Sequence, residues 1–132
     1  MAEYHGSCLC GAVAWVIGGE IDDTSNCWCH MCQKQHGAAF APYANIADSA
    51  FGITRGKDAV ARYRSSPNVE RTFCKVCGSN LTWQQDEHKD RIGVTLATFD
   101  TPYQGVVTRQ LHIESRPGWL PGINEYLNSR ES

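Results

Sequence analysis

The sequence predicts a mainly β domain of antiparallel strands, on three observations. Short stretches of β-branched, aromatic and small apolar residues recur at close spacing between Asp, Ser, Gly and Pro turns. The helical signal is confined to one short segment following a cysteine cluster. Finally, Cys74-Lys75-Val76-Cys77-Gly78 lies between two strand-like stretches, as the tip of a metal-knuckle hairpin would. A chain of 132 residues is long enough for one domain with a modest core and short for two, so residues 1–132 are expected to form a single domain.

In chain order, the polar start Met1 to Gly6 has no apolar run resembling a secretory signal. Ser7 to Ile17 reads as a strand stopped by Gly18-Gly19. Side chains two apart share a strand face, so Cys8 and Cys10 are expected to share a metal, with Gly11 letting the backbone turn close to it. Asp22 to Asn26 reads as a polar turn before Cys27-Trp28-Cys29-His30-Met31-Cys32. A short helix is predicted from Met31 to His36 with Gly37 as its C-cap. Its N-terminal N–H groups would face the cluster and favour thiolates.

Strands are then expected at Ala39 to Ile46, Phe51 to Thr54 and Ala59 to Arg64. Arg55, Lys57, Arg62 and Arg64 make the most basic region, read as a solvated face of edge strands. Val69 to Phe73 and Leu81 to Trp83 flank the knuckle, where Gly78 supplies a positive φ. A thioredoxin-like redox pair would need a βαβ setting that is not visible. Arg91 to Phe99 and Gly105 to Ser115 alternate as half-buried strands and are expected to pair, with His112 on the second. Trp119 to Leu127 offers apolar anchors.

The seven cysteines carry the functional signal. Cys8, Cys10, Cys74 and Cys77 make one set of four, and Cys27, Cys29 and Cys32 leave a set of three. Structural zinc is closed by four protein ligands, whereas catalytic zinc keeps three and leaves the fourth position to water or substrate. The residues alone also permit Cys29 and Cys32 to join Cys74 and Cys77 as a zinc ribbon, with Cys8, Cys10 and Cys27 spare. His30 and His36 are candidate fourth ligands or neighbouring histidines; His112 is a candidate acid, base or orienting group, or a core histidine.

The formal charge of -2 becomes about -5 if seven thiolates hold two Zn2+ ions (-7 + 4 = -3). With no basic block surviving that count, a nucleic-acid partner is not expected. No stretch approaches membrane-spanning length, and an odd cysteine count without a signal favours a reducing compartment, the cytoplasm.

The ordered set Cys8-x-Cys10-Gly11-Ala12-Val13, Cys27-x-Cys29-His30-x-Cys32-Gln33, His36-Gly37-Ala38, Tyr63-Arg64-Ser65-Ser66 and Phe73-Cys74-x-x-Cys77-Gly78-Ser79 resembles the glutathione-dependent formaldehyde-activating enzyme family from about Ser7 to Trp119. The resemblance implies an Mss4-like fold of small coiled antiparallel sheets built around a four-cysteine zinc site on Cys8, Cys10, Cys74 and Cys77. It implies a second, catalytic zinc on Cys27, Cys29 and Cys32, and so favours four plus three over the ribbon. The second metal is expected to be lost easily during isolation, because its open position admits oxidants.

The implied activity is that of a carbon-sulfur lyase joining a small thiol to an aldehyde, with glutathione and formaldehyde the leading pair and the exact substrate left open. Three thiolates on Zn2+ leave a local charge of about 2 - 3 = -1, which suits holding another thiolate better than polarising a carbonyl. His112 or His36 would serve as the acid, or water in their place. Two other classes stay open: a non-catalytic zinc module for a protein partner, and a thiol redox enzyme. Oligomeric state is not legible.

Overall fold

The computed structural model describes residues 2–122. Ten strands and one short α-helix form two sheets, the mainly β architecture expected. The smaller sheet holds β1 (Glu3–Ser7), β2 (Ala14–Gly18) and β5 (Phe51–Arg55), all antiparallel. The larger runs in the order β10-β3-β4-β9-β8-β7-β6, where β3 is Thr24–Cys27, β4 Ala41–Ala47, β6 Val60–Ser66, β7 Val69–Cys74, β8 Asn80–Gln85, β9 Arg91–Thr95 and β10 Arg109–Leu111. The helix α1, His30–His36, begins one residue before its expected start and ends at Gly37, whose φ of 59° and N–H bond to the Gln33 carbonyl make the expected left-handed cap.

The two sheets meet over a core of Trp15, Ile17, Ile46, Ile92 and Val94. Trp15 and Ile17 point the same way because residues two apart on β2 share a face, and both are fully buried. The Trp15 indole packs edge-on against Phe99 at 4.7 Å and donates its N–H to Thr98 Oγ1 at 3.2 Å. Truncating such a ring costs about 3–5 kcal/mol.

Four expectations need correction. Ser7 to Ile17 is not one strand: β1 pairs with β2 in a hairpin from Glu3↔Gly18 to Ser7↔Ala14, and Cys8 to Val13 form the loop between them. Both ends of that loop are tied by the Cys8 N–H to the Val13 carbonyl, so Cys8 and Cys10 approach through a turn rather than along a strand face.

The segment read as a polar turn is the strand β3. Thr24 and Ser25 are buried because their polar groups are used: Thr24 bonds the backbone at Val106 and Thr108, and Ser25 Oγ accepts from Asn45 Nδ2. Sequence polarity therefore hid an inner strand.

Gly105 to Ser115 does not pair with Arg91 to Phe99. Only Arg109–Leu111 is strand, and it runs parallel to β3, while β9 lies between β4 and β8. Of the tail, Trp119 is 70% exposed and so anchors nothing; the expected anchors beyond residue 122 lie outside the described residues.

The basic residues behave partly as expected. On the edge strand β6, Arg62 pairs with Glu70 and Arg64 with Asp86 at the surface. Arg55 instead donates from Nε and Nη2 to the Gly11 carbonyl at 3.0 and 2.7 Å, strapping the loop of the first two cysteines. No described helix is long and apolar enough to cross a membrane.

Candidate metal centres

Two loops face each other at one end of the fold and bring four sulfurs together. In the first, Gly11 takes φ +81° and its N–H bonds the Cys8 carbonyl. In the second, between β7 and β8, Gly78 takes φ +84°, its N–H bonds the Cys74 carbonyl, and the Cys74 N–H bonds the Ser79 carbonyl. A Cβ at either glycine would have to adopt the left-handed region, which explains C-x-C-G and C-x-x-C-G alike. Ser79 Oγ accepts from the Leu9 N–H at 2.9 Å and so docks one loop on the other.

The sulfurs of Cys8, Cys10, Cys74 and Cys77 all lie within 4.8 Å of one another. A tetrahedral zinc with Zn–S near 2.3 Å separates its sulfurs by about 3.8 Å. The Cys8–Cys10 and Cys10–Cys74 separations are 3.7 and 3.8 Å, so the donor set and its spacing fit that ion. Cys8 and Cys74 are buried against Val13 and Leu81. The Ser79 hydroxyl, followed by the backbone N–H groups of Ser79 and Cys10, holds the Cys77 thiol down to about 5.

The second group stands at the end of β3 and the start of α1. Cys27 is the last residue of β3, Cys29 caps α1 by accepting the Cys32 N–H at 3.4 Å, and Cys32 points inward from the first turn, 1% exposed. The three sulfurs again lie within 4.8 Å of one another. Among the described residues no imidazole or carboxylate joins either group, and the cysteines gather as four plus three rather than as a ribbon.

A residue the sequence reading missed lies behind Cys32. Arg71, on β7, is 2% exposed. Its Nη1 and Nη2 lie 3.5 and 3.6 Å from Cys32 Sγ, Nη1 also donates to Gln35 Oε1 at 2.8 Å, and Nε donates to Ser65 Oγ at 2.8 Å. Hydrogen bonding from Cys27 and then from Arg71, reinforced by the Arg71 charge, holds Cys32 down to about 5 against the effect of burial. Cys27 is pushed up, first by sharing that hydrogen bond with Cys32 and then by burial. The available signal was the apolar Val69 two residues earlier, which shares a strand face with Arg71 and is buried with it.

Tyr43 and His36 complete this side. His36 Nε2 lies 3.2 Å from the Tyr43 hydroxyl, and burial followed by the Arg71 charge depresses the imidazole to about 4, which keeps the ring neutral. His36 therefore meets Tyr43 rather than the sulfurs. His30 stands at the start of α1, outside both sulfur groups.

On the open side, the three cysteines line a cavity of about 160 Å³ walled by Tyr43, Trp83 and Leu111, with Asn45 and Ser25 as polar groups and His112 among the lining residues. His112 is not inside a strand. It follows β10 with φ 58° and ψ 39°, the one non-glycine residue with positive φ among those described. Its side chain is 61% exposed, with Nδ1 at 3.6 Å from Glu114 Oε2. A residue with a Cβ in this region costs about 1 kcal/mol or more, and such strain concentrates at functional sites.

Comparison with known proteins agrees with this geometry. The family model described as glutathione-dependent formaldehyde-activating enzyme matches residues 3–115. A Schizosaccharomyces pombe protein named an uncharacterized lyase is 26% identical over 117 residues, which span 89% of this chain and 83% of that protein. A crystal structure of a Rhodobacter sphaeroides protein is similar in fold, with a TM-score of 0.65 over 80% of this chain and 98% of the other at 23% identity.

Proposed function

Because the chain belongs to the glutathione-dependent formaldehyde-activating enzyme family, we propose that it is a zinc-dependent carbon-sulfur lyase that joins a small thiol to an aldehyde and reverses the reaction. The observation that supports this reading is the convergence of three cysteine sulfurs, with no histidine, carboxylate or fourth cysteine beside them among the described residues, on the wall of a cavity. Zinc, when bound there, supplies a cation that keeps a substrate thiol deprotonated and in place.

The chain's own groups supply the rest. Cys27, Cys29 and Cys32 hold the metal, while Cys8, Cys10, Cys74 and Cys77 close the structural site. Tyr43, Trp83 and Leu111 exclude water around the reacting end of the substrate. A cavity of about 160 Å³ is smaller than the roughly 300 Å³ at which ordinary ligand pockets begin, so it suits an aldehyde carbon and its sulfur, with the bulk of the thiol outside. The sulfur lone pair forms the carbon-sulfur bond as the carbonyl π electrons move to oxygen, and that oxygen takes a proton from His112 or from water. In reverse the oxygen gives up the proton and the sulfur leaves with the bonding pair. Glutathione and formaldehyde are the leading pair, by family.

Exchange spectroscopy by NMR on glutathione and formaldehyde tests this, comparing zinc-loaded wild type with Cys29→Ser. Acceleration over the spontaneous rate that disappears in the variant is expected. Wild-type rates equal to the spontaneous ones across a panel of thiols and aldehydes would overturn the lyase and leave a non-catalytic zinc module.

A further inference from the structure

The fold takes a positive charge out of water at Arg71 and, among the described residues, gives it no carboxylate. The side chain is 2% exposed, and among the described residues the ion pairs of Asp and Glu are made by other cations. Its partners Ser65 Oγ, Gln35 Oε1 and the Tyr43 hydroxyl are neutral dipoles. An unpaired buried charge is costly enough that such residues are almost always matched with an anion. The remaining neighbour, Cys32 Sγ, faces both Nη atoms and can carry that charge as a thiolate.

We propose that Arg71 is the counter-ion of the three-cysteine site and a positioning residue that biases its fourth ligand toward an anionic sulfur. The inference rests on the reading that this site holds zinc and a substrate thiol. Three thiolates and Zn2+ sum to about -1, so a neutral ligand leaves the charge unchanged while a thiolate takes it to about -2. With the guanidinium counted, the second state is about -1. A fixed cation 3.5–3.6 Å from one of the three sulfurs therefore favours the more negative, thiolate-bound state and is nearly indifferent to a neutral donor. The hydrogen bonds to Ser65 and Gln35 hold the guanidinium in place, so the bias is built in before any ligand arrives.

The test is ligand affinity rather than turnover. Protein reconstituted anaerobically with cobalt is titrated by visible absorption with 2-mercaptoethanol and, separately, with imidazole. The four-cysteine site is closed and contributes a constant spectrum, so ligand-dependent changes report the open one. Two variants remove the free positive charge differently: Arg71→Gln deletes it, and Gln35→Glu leaves the arginine but sets a carboxylate where Gln35 Oε1 now accepts at 2.8 Å. Each is expected to weaken thiol binding by about tenfold or more and to move imidazole by less than about twofold. Arg71→Lys should retain most of the thiol affinity. If Arg71→Gln does not fold, Gln35→Glu decides the matter. Equal losses for both ligands would make Arg71 merely structural, and unchanged thiol affinity would exclude the counter-ion role; either result overturns the inference. A wild type that binds no thiol at all would instead sink the lyase reading beneath it.

Discussion

Replacing Gly56 by alanine should damage the four-cysteine site without touching a ligand. Gly56 follows β5 with φ +80°, and an ideal Cβ there would fall on the Ala12 carbonyl oxygen, 2.8 Å from the Ala12 carbonyl carbon and 3.2 Å from Val13 Cα. All three are backbone atoms, so no rotamer change relieves the collision. Ala12 belongs to the loop that presents Cys8 and Cys10. The left-handed conformation costs a non-glycine residue about 1 kcal/mol, and forcing packed backbone aside adds about 1–3 kcal/mol, for a loss of about 2–4 kcal/mol. Gly37→Ala is the matched control, because φ is +59° but nothing lies within 4 Å of the new methyl. It should lose about 1 kcal/mol. At roughly 3–5 °C per kcal/mol for a chain of this size, Gly56→Ala should lower Tm by about 10 °C and Gly37→Ala by about 4 °C. Scanning calorimetry gives both values, and zinc release to a chelator should quicken only in Gly56→Ala. Equal Tm losses in the two variants would refute the collision and its link to the metal loop.

Three further outcomes are expected. Cys74→Ser removes a fully buried member of the proposed four-cysteine zinc site, and since a structural zinc would supply on the order of 10 kcal/mol against a total stability of about 5–15, the variant should neither fold cooperatively nor bind zinc there; a soluble variant with a sharp urea transition would contradict this. For His36, the folded value near 4 lies below the unfolded value near 6.5, so the neutral ring stabilises the fold fully above about pH 6.5, and that contribution drains away as pH falls toward 4. After discounting for solvent at the ring's open edge it amounts to about 1 kcal/mol, and His36→Gln should flatten the Tm profile across that window; parallel profiles would remove the assignment. His112→Gly relieves a left-handed residue and should raise stability by up to about 1 kcal/mol in urea titrations while slowing exchange catalysis, whereas unchanged catalysis would leave water as the acid.

What the sequence made legible follows from where its signals are local. Cysteine spacing with an adjoining glycine encodes a turn within a few residues, so the Cys74–Gly78 turn and the α1 cap at Gly37 could be read directly, whereas the loop from Cys8 to Val13 could not, because its small and apolar residues read as strand. The strand β3 could not, because Thr24 and Ser25 are buried by hydrogen bonds to segments 82 and 20 residues away. The parallel partnership of β10 with β3 is equally nonlocal, and alternation in Gly105 to Ser115 carries no information about which strand it joins. Arg71 escaped because charge on a β-strand ordinarily means solvent. Its burial depends on Cys32 and Gln35, 39 and 36 residues earlier in the chain. The grouping of seven thiols into four and three was settled by tertiary approach across 64 residues, from Cys10 to Cys74.

That same separation imposes an order on biosynthesis. Cys27, Cys29 and Cys32 leave the ribosome as a finished trio, able to capture a metal while the rest of the chain is unmade. Cys8 and Cys10 must wait for the β7–β8 hairpin before their set is complete. Arg71, which backs the trio, arrives with that hairpin, three residues ahead of Cys74. An ion captured early would lack the Arg71 guanidinium until that hairpin forms. Pairing of β7 would bring Arg71 to one cysteine group and Cys74 to the other together, because both residues lie on that strand.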